Sequence, residues 1–289
     1  MLLAVPALRA LRAASPGGSL ALAAQPRIAR LLRALGVVDE ALAFDALGLH
    51  ALFVDAPRAA RLPAIEQATR VVCWFGAGAP GFVERLRALA PGAVVASPVG
   101  DDRPVWEHLL ATVGAAPEAR WRAPLEIPGE LLERGRRELV AAGWDGVLPL
   151  LLVHPGAGGV DKRWPTEGFA RVLERVAPRI GLAVHCGPAD AAPVSELMSR
   201  HRGPLLRLEA PELGALAGVL GLAAGYLGND SGVSHLAAAL GVRALVLFTA
   251  TNLPWRSWSD AARPLVVATE TLREADGDRV IAGLTALLR

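Results

Sequence analysis

Two short stretches carry residue types that could do chemistry on an anion. The first, HPGAGGVDKRWP, spans residues 154–165 and holds Lys162, the one lysine in a chain whose other basic side chains, among 30 Lys+Arg, are all arginine. An ammonium is a compact point charge with three rotatable donors, and a planar guanidinium does not replace it at a phosphate. Ahead of it, Gly156, Gly158 and Gly159 let backbone N–H groups come close to a ligand, and Pro165 opens a helix. The second stretch, GNDSGVSHLAAALG, spans residues 228–241. Ser231 there is a good N-cap, and Gly232 allows close approach to a helix start that bears about half a positive charge and free N–H groups. Ser231 and His235 are four apart and share a helix face. Asp230 stands at a strand end, where a carboxylate can accept hydrogen bonds from sugar hydroxyls. Plainer readings exist for both: a surface lysine that survived by chance, and a capped helix with a core histidine. The first loop lacks the GK[ST] ending of a P-loop, and its glycine spacing fits the dinucleotide fingerprint poorly.

Such loops work when strands deliver them. In open α/β sheets ligands bind beyond the carboxyl ends of the strands, and here apolar bursts alternate with amphipathic stretches from end to end, the pattern of βα units. In the first half the expected strands are 19–24, 70–76 and 93–98, and the expected helices 26–36, 80–92 and 106–114, with a proline-rich connector over 117–128 and a charged helix over 129–143. The second half reads as a complete doubly wound unit. Strands end at His154, at 187, at 210, at 230 and at 249, and helices lie over 166–176, 194–200, 211–225, 231–241 and 276–288. The expected boundary falls between residues 145 and 146. A helix opens the chain without a strand before it, whereas a doubly wound sheet starts on a strand that becomes central.

At 289 residues, 53% hydrophobic and 20% charged, the chain suits two domains with full cores and excludes a disordered or fibrous protein. Net charge is +2, with 16 arginines against 15 acids up to residue 150, so neither half resembles a nucleic-acid arm. Cys73 and Cys186 form no CxxC or metal-spaced cluster and read as reduced core residues of a cytosolic protein. The opening MLLAVPALRALRAAS lacks a charged n-region, and Arg9 and Arg12 interrupt its apolar run, which argues against a signal peptide. The stretch 213–228 is broken by glycines and reads as a buried helix plus a strand, not a membrane span.

Together, the HPGAGGxxKRWP and NDSGxxHLAAALG motifs resemble the C-terminal domain of glycosyltransferase family 9, the ADP-heptose:lipopolysaccharide heptosyltransferases, strongly over 148–251 and weakly over the first half. The resemblance implies a GT-B architecture, two Rossmann-like doubly wound domains facing a cleft, with an acceptor-side domain over 1–145 and a nucleotide-sugar domain over 146–289. It implies inversion at the anomeric carbon, no cofactor and no metal; no DxD motif is found, and the Asp101-Asp102 pair reads as loop. Lys162 resembles the lysine that neutralises the donor diphosphate, Asp230 the acid that meets the sugar, and Ser231, Gly232 and His235 the diphosphate-binding helix start. Gly156, Ala157 and Gly158 would bind donor through backbone groups alone, since members often carry hydroxyls at the latter two. Asp190 occupies roughly the position of an acid that contacts the nucleoside. The family's FGPT segment appears as Phe248-Thr249-Ala250-Thr251. The implied partners are an ADP-heptose-like donor and a lipopolysaccharide-core or other glycan acceptor, with no nucleic acid. The implied location is cytoplasmic, with peripheral contact at the inner membrane.

In that family the first helix follows an apolar strand and a Gly-Asp pair whose Asp is the general base. None of Asp39, Asp45, Asp55 or Glu66 stands in such a setting, so the expectation is that in-frame coding upstream of Met1 supplies about 10–15 residues of strand and loop. Two other readings remain open from sequence: a nucleotide-sugar-binding relative without catalysis, and another enzyme such as a GT-B-fold epimerase or a dinucleotide enzyme.

Overall fold

The computed structural model describes residues 1–54, 62–100 and 103–289; Asp55 and the Asp101-Asp102 pair lie outside the described residues. The chain forms two compact units, one of Met1 and Leu3–Trp121 and one of Leu2 and Arg122–Arg289.

The first unit runs α1 (Val5–Ala14), β1 (Ala21–Ala24), α2 (Pro26–Ala34), β2 (Glu40–Ala43), α3 (Pro63–Glu66), β3 (Val72–Cys73), α4 (Pro80–Leu89), β4 (Val94–Val95) and α5 (Val105–Thr112). Pro26 and Pro80 each start a helix, where the missing N–H costs nothing. β1 pairs only with β2 and β3 only with β4, both in parallel, giving two separate two-stranded pieces among the described residues. β2 was not expected: its EALA sequence is neither alternating nor continuously apolar. Its place is set by pairing with β1 and packing against α2.

The second unit runs α6 (Gly129–Ala141), β5 (Leu150–His154), α7 (Thr166–Val176), β6 (Gly181–Cys186), α8 (Ala191–Arg200), β7 (Leu206–Glu209), α9 (Leu213–Leu222), β8 (Gly225–Asn229), α10 (Gly232–Ala239), β9 (Ala244–Phe248), β10 (Ala262–Val266) and α11 (Glu274–Leu287). Its six strands are all parallel in the order β10-β9-β8-β5-β6-β7. That is a doubly wound order that reverses beside β5. β5, β8 and β9 are buried along their whole length, as strands covered on both faces must be. β10 also escaped the sequence pattern, because Arg263 and Pro264 interrupt it; a proline is tolerated there because β10 is the sheet edge.

The division between units falls at Trp121/Arg122, ahead of the expected 145/146. The physical reason is α6. Its buried stripe of Leu131, Gly135 and Leu139 packs on α9, where a Cβ on Gly135 would overlap the backbone of Gly218 and Val219, and one on Gly218 would overlap the carbonyl of Leu131. The two helices meet backbone to backbone, so α6 belongs to the second unit. Gly135→Ala should therefore lower the stability of that unit by about 1–3 kcal/mol through overpacking. A urea midpoint unchanged from wild type would refute the contact.

Candidate functional site

β5 and β8 are neighbours, so the loops that leave their carboxyl ends are brought side by side at the reversal point of the sheet. One side chain ties them together. Asn229, at the end of β8 and fully buried, donates from Nδ2 to the Pro155 carbonyl at 2.8 Å and accepts at Oδ1 from the Trp164 amide at 3.1 Å. A single amide thus spans the glycine loop from its first residue to the start of α7. Its backbone carbonyl in turn accepts from the Ser234 hydroxyl, which contacts the Tyr226 hydroxyl at 2.9 Å. Burial pushes the Tyr226 phenol up, so it stays neutral. Sequence reading did not single out Asn229; the available signal was a polar side chain closing an otherwise apolar strand.

This frame brings Lys162, Asp230, Ser231, Gly232 and His235 together. The Lys162 ammonium donates to Asp230 Oδ2 at 3.0 Å, and His235 Nε2 lies 3.4 Å from Asp230 Oδ1. Burial alone would raise the Asp230 carboxyl, but hydrogen bonds from His235 and Lys162 and their charges outweigh it and hold it below the ordinary value. Asp230 is therefore an anion at neutral pH, 5% exposed, while the Lys162 side chain keeps 29% of its surface open. Ser231 caps α10 as expected, its hydroxyl accepting from the Ser234 amide at 3.3 Å. The amides of Gly232 and Val233 have no hydrogen-bond partner among the described residues, so two donors at the positive end of α10 face outward.

The glycines divide into two kinds. A Cβ on Gly158 or Gly232 would meet nothing within 4 Å, so these positions border open space. A Cβ on Gly156 would overlap the Asp190 carboxylate and crowd the His154 ring, so this glycine is required by packing inside the protein. Ala157 is buried, and its carbonyl accepts from Arg163 at 3.4 Å.

Asp190 is not brought into the Lys162 group. It is buried and accepts from the Gly187 amide at 3.1 Å, on the β5–β6 side of the glycine loop. There it joins His154 and His185, whose Nδ1 atoms are 3.1 Å apart. Ligand atoms of the three residues lie within 4.8 Å of one another, a geometry that could hold a metal ion. Sequence spacing did not show this trio, because strand pairing unites histidines 31 positions apart. Burial pushes both rings down to about 4; the charge of His154 adds to the effect on His185, while the carboxylates of Asp190 and Glu209 oppose it. They are neutral at pH 7, one donating to the other, so the 3.9 Å contact of His154 Nε2 with Asp190 is not an ion pair. Elsewhere Thr249 caps a 3-10 turn by accepting from the Asn252 amide. Cys186 is buried, Cys73 partly so, and both are free.

The histidine pair makes stability depend on pH. Unfolded histidine takes up its proton near the ordinary 6.5, whereas the folded rings refuse it until about 4. Stability is therefore level above 6.5 and falls as pH drops from 6.5 toward 4, with a slope that approaches about 1.4 kcal/mol per pH unit for each histidine. Urea midpoints of the second unit between pH 7 and pH 5 should fall, and His185→Gln should flatten the dependence. Equal midpoints at the two pH values would show that the rings are not held neutral.

Residues 127–278 match the family model of glycosyltransferase family 9 (heptosyltransferase). Lipopolysaccharide heptosyltransferase 3 of Escherichia coli (strain K12) is 33% identical over 137 residues, 43% of this chain and 38% of that protein. Another Escherichia coli lipopolysaccharide heptosyltransferase 3 is 30% identical over 145 residues, 47% of this chain and 41% of that protein. Both matches span less than half the length of the relative. Among solved structures, E. coli ADP-heptose lps heptosyltransferase II has a TM-score of 0.75 at 18% identity, covering 100% of this chain and 95% of that one. A family 9 glycosyl transferase from Veillonella parvula DSM 2008 gives 0.77 at 16% identity, over 99% and 93%. E. coli heptosyltransferase WaaC with ADP gives 0.69 at 15% identity, over 99% and 95%. These likenesses establish the fold, an α/β fold of the GT-B class. The chain belongs to glycosyltransferase family 9.

Proposed function

We propose that this chain is an inverting, metal-independent glycosyltransferase that moves a heptose from ADP-heptose to a lipopolysaccharide-core-like acceptor. The observation that carries the reading is the convergence of Lys162, Asp230, His235 and the outward amides of α10 at the end of β8. When a glycosidic bond to a diphosphate breaks, negative charge grows on the leaving oxygens. Preorganised donors aimed at that charge supply the largest catalytic term in many enzymes. Here the donors are an ammonium and a helix start, which together do the work that a divalent cation does in other transferases. Asp230 fits the sugar: its second oxygen can accept from a hydroxyl while Lys162 offsets its repulsion of the diphosphate. Gly158 and Gly232, open on their outer sides, let phosphate oxygens reach the backbone. Asp190, engaged with the Gly187 amide, supports the loop from behind and would reach a nucleoside only by releasing that bond.

Support for the donor comes from relatives: one solved structure is WaaC with ADP, another WaaC with ADP-2-deoxy-2-fluoro heptose. An acceptor of the lipopolysaccharide-core class implies work at the cytoplasmic face of the inner membrane through peripheral contact. No helix among the described residues is long and apolar enough to cross a membrane.

Lys162→Ala should weaken donor binding and slow transfer through loss of one charge-assisted contact of about 1.5–3 kcal/mol, and Lys162→Arg should not fully restore either. Calorimetric titration with donor checks it; equal affinity in wild type and Lys162→Ala would exclude a phosphate role. ADP-sugars should bind more tightly than UDP- or GDP-sugars in the same titration, and a preference for UDP-sugar would overturn the donor assignment. Donor binding without transfer to any core acceptor would instead favour a binding protein that does no catalysis.

A further inference from the structure

The trio of His154, His185 and Asp190 stands on the β5–β6 side of the glycine loop and has no part in the transfer proposed above. Its members come from three elements: the end of β5, the inner part of β6, and the residue that precedes α8. All three side chains are buried. Polar groups taken out of water together need partners, and the bonds among them are few. The two Nδ1 atoms share one contact at 3.1 Å, and His154 Nδ1 lies 3.4 Å from the His185 carbonyl. Asp190 holds the N-cap position of α8, where a carboxylate is among the best caps, yet its side chain makes no cap bond. It turns to the rings instead, with Oδ2 at 3.9 Å from His154 Nε2. Two bare positions hold it there: a Cβ on Gly156 would overlap Oδ1, and one on Gly187 would crowd Oδ2. The same two Cβ atoms would meet His154 Cε1 at 2.8 Å and His185 Cε1 at 3.4 Å, so both glycines keep the carboxylate and the rings together.

We propose that this trio binds one divalent transition-metal ion of the zinc class, which braces β5, β6 and the start of α8. Two imidazole nitrogens 3.1 Å apart can share either one proton or one metal ion. Ligands about 2.0–2.1 Å from a tetrahedral zinc stand roughly 3.3–3.4 Å from one another, so the pair has only to open slightly. One nitrogen of each ring and one oxygen of Asp190 already lie within 4.8 Å of one another. On binding, the hydrogen bond between the Nδ1 atoms is given up for two nitrogen–metal bonds. The ring that donated it carries its proton on Nε2 instead, and the proton count is unchanged. The charges nearby select the kind of ion. Arg163 acts on His154 as a like charge, and Glu209, the second acid near His185, is paired with Arg207. A hard cation such as magnesium, held by carboxylates and water, has little to grip here, whereas imidazole suits zinc, cobalt and nickel. The ion would fasten His154 to β6, next to Pro155, whose carbonyl Asn229 holds to β8. The glycine loop would then be tied to both strands that flank β5. The role is structural, so the inference neither rests on the transferase reading nor puts a metal on the leaving diphosphate.

The test uses the full 289-residue chain, stripped with a chelator and then titrated with zinc, cobalt or magnesium. One equivalent of zinc should bind. At about 100 times its Kd it should raise the unfolding midpoint of the second unit on the order of 5 °C, and magnesium should do neither. Cobalt(II) should give the visible bands of an ion held by imidazole and carboxylate, without the thiolate charge-transfer band that binding at Cys73 or Cys186 would add. His185→Gln should weaken zinc binding on the order of 10–100-fold or more, since even an outer partner of a ligand is worth that much. Lys162→Ala, which alters the anion site, should bind zinc as tightly as wild type. The cobalt spectrum needs no variant and decides the matter even if His185→Gln does not fold. No bound equivalent, a thiolate band, magnesium binding as tightly as zinc, or equal zinc affinity in wild type and His185→Gln would each overturn the proposal.

Discussion

The candidate site depends on one buried carboxamide. Without Asn229 the glycine loop after β5 and the helix start after β8 would be separate features of neighbouring strands. With it, the Pro155 carbonyl and the Trp164 amide are both fixed to the end of β8. A buried amide has four hydrogen-bonding positions, and leaving them unpaired costs more than their net gain when paired. That asymmetry makes the arrangement specific. The loop can take the conformation that satisfies Asn229, or pay desolvation for any other. Lys162 sits two residues before Trp164, so its reach toward Asp230 is set by the same tie.

The charges are arranged with similar economy. A carboxylate would repel an anionic ligand placed beside it, yet Asp230 is held ionised between Lys162 and His235. In the absence of an anion it holds the ammonium in place, so little side-chain entropy is left to lose on binding. An ammonium has three donors and can keep Asp230 while turning another to a phosphate; a guanidinium locked in its planar fork would have to choose.

Much of this was legible in the sequence, and what was not shares a cause. Lys162, Ser231 and Gly232 declared themselves because a rare residue type, a cap and a bare backbone are local signals. Five of the six strands of the parallel sheet followed from apolar runs such as LLLVH. Asn229 was silent because its partners lie 65 and 74 positions away, and the His154–His185 pair because pairing across strands, not spacing, joins them. β2 and β10 escaped because tertiary pairing, not pattern, makes them strands. Asp190 was matched by position, but its carboxylate turned inward to Gly187. The family motif pointed to the two loops; it did not say which of their glycines face outward and which are fixed by packing.

The contact of α6 with α9 bears on how such a chain can change over time. Where two side chains interlock, a larger one on the first can be answered by a smaller one on the second, and the pair drifts together. At Gly135 the obstacle is the peptide group of Gly218 and Val219, which no substitution can shrink. Compensation at a single partner is closed, and relief would need the two helix axes to separate along their length. The crossing is thus an immobile point in sequence space, around which the charged outer face of α6 is free to vary.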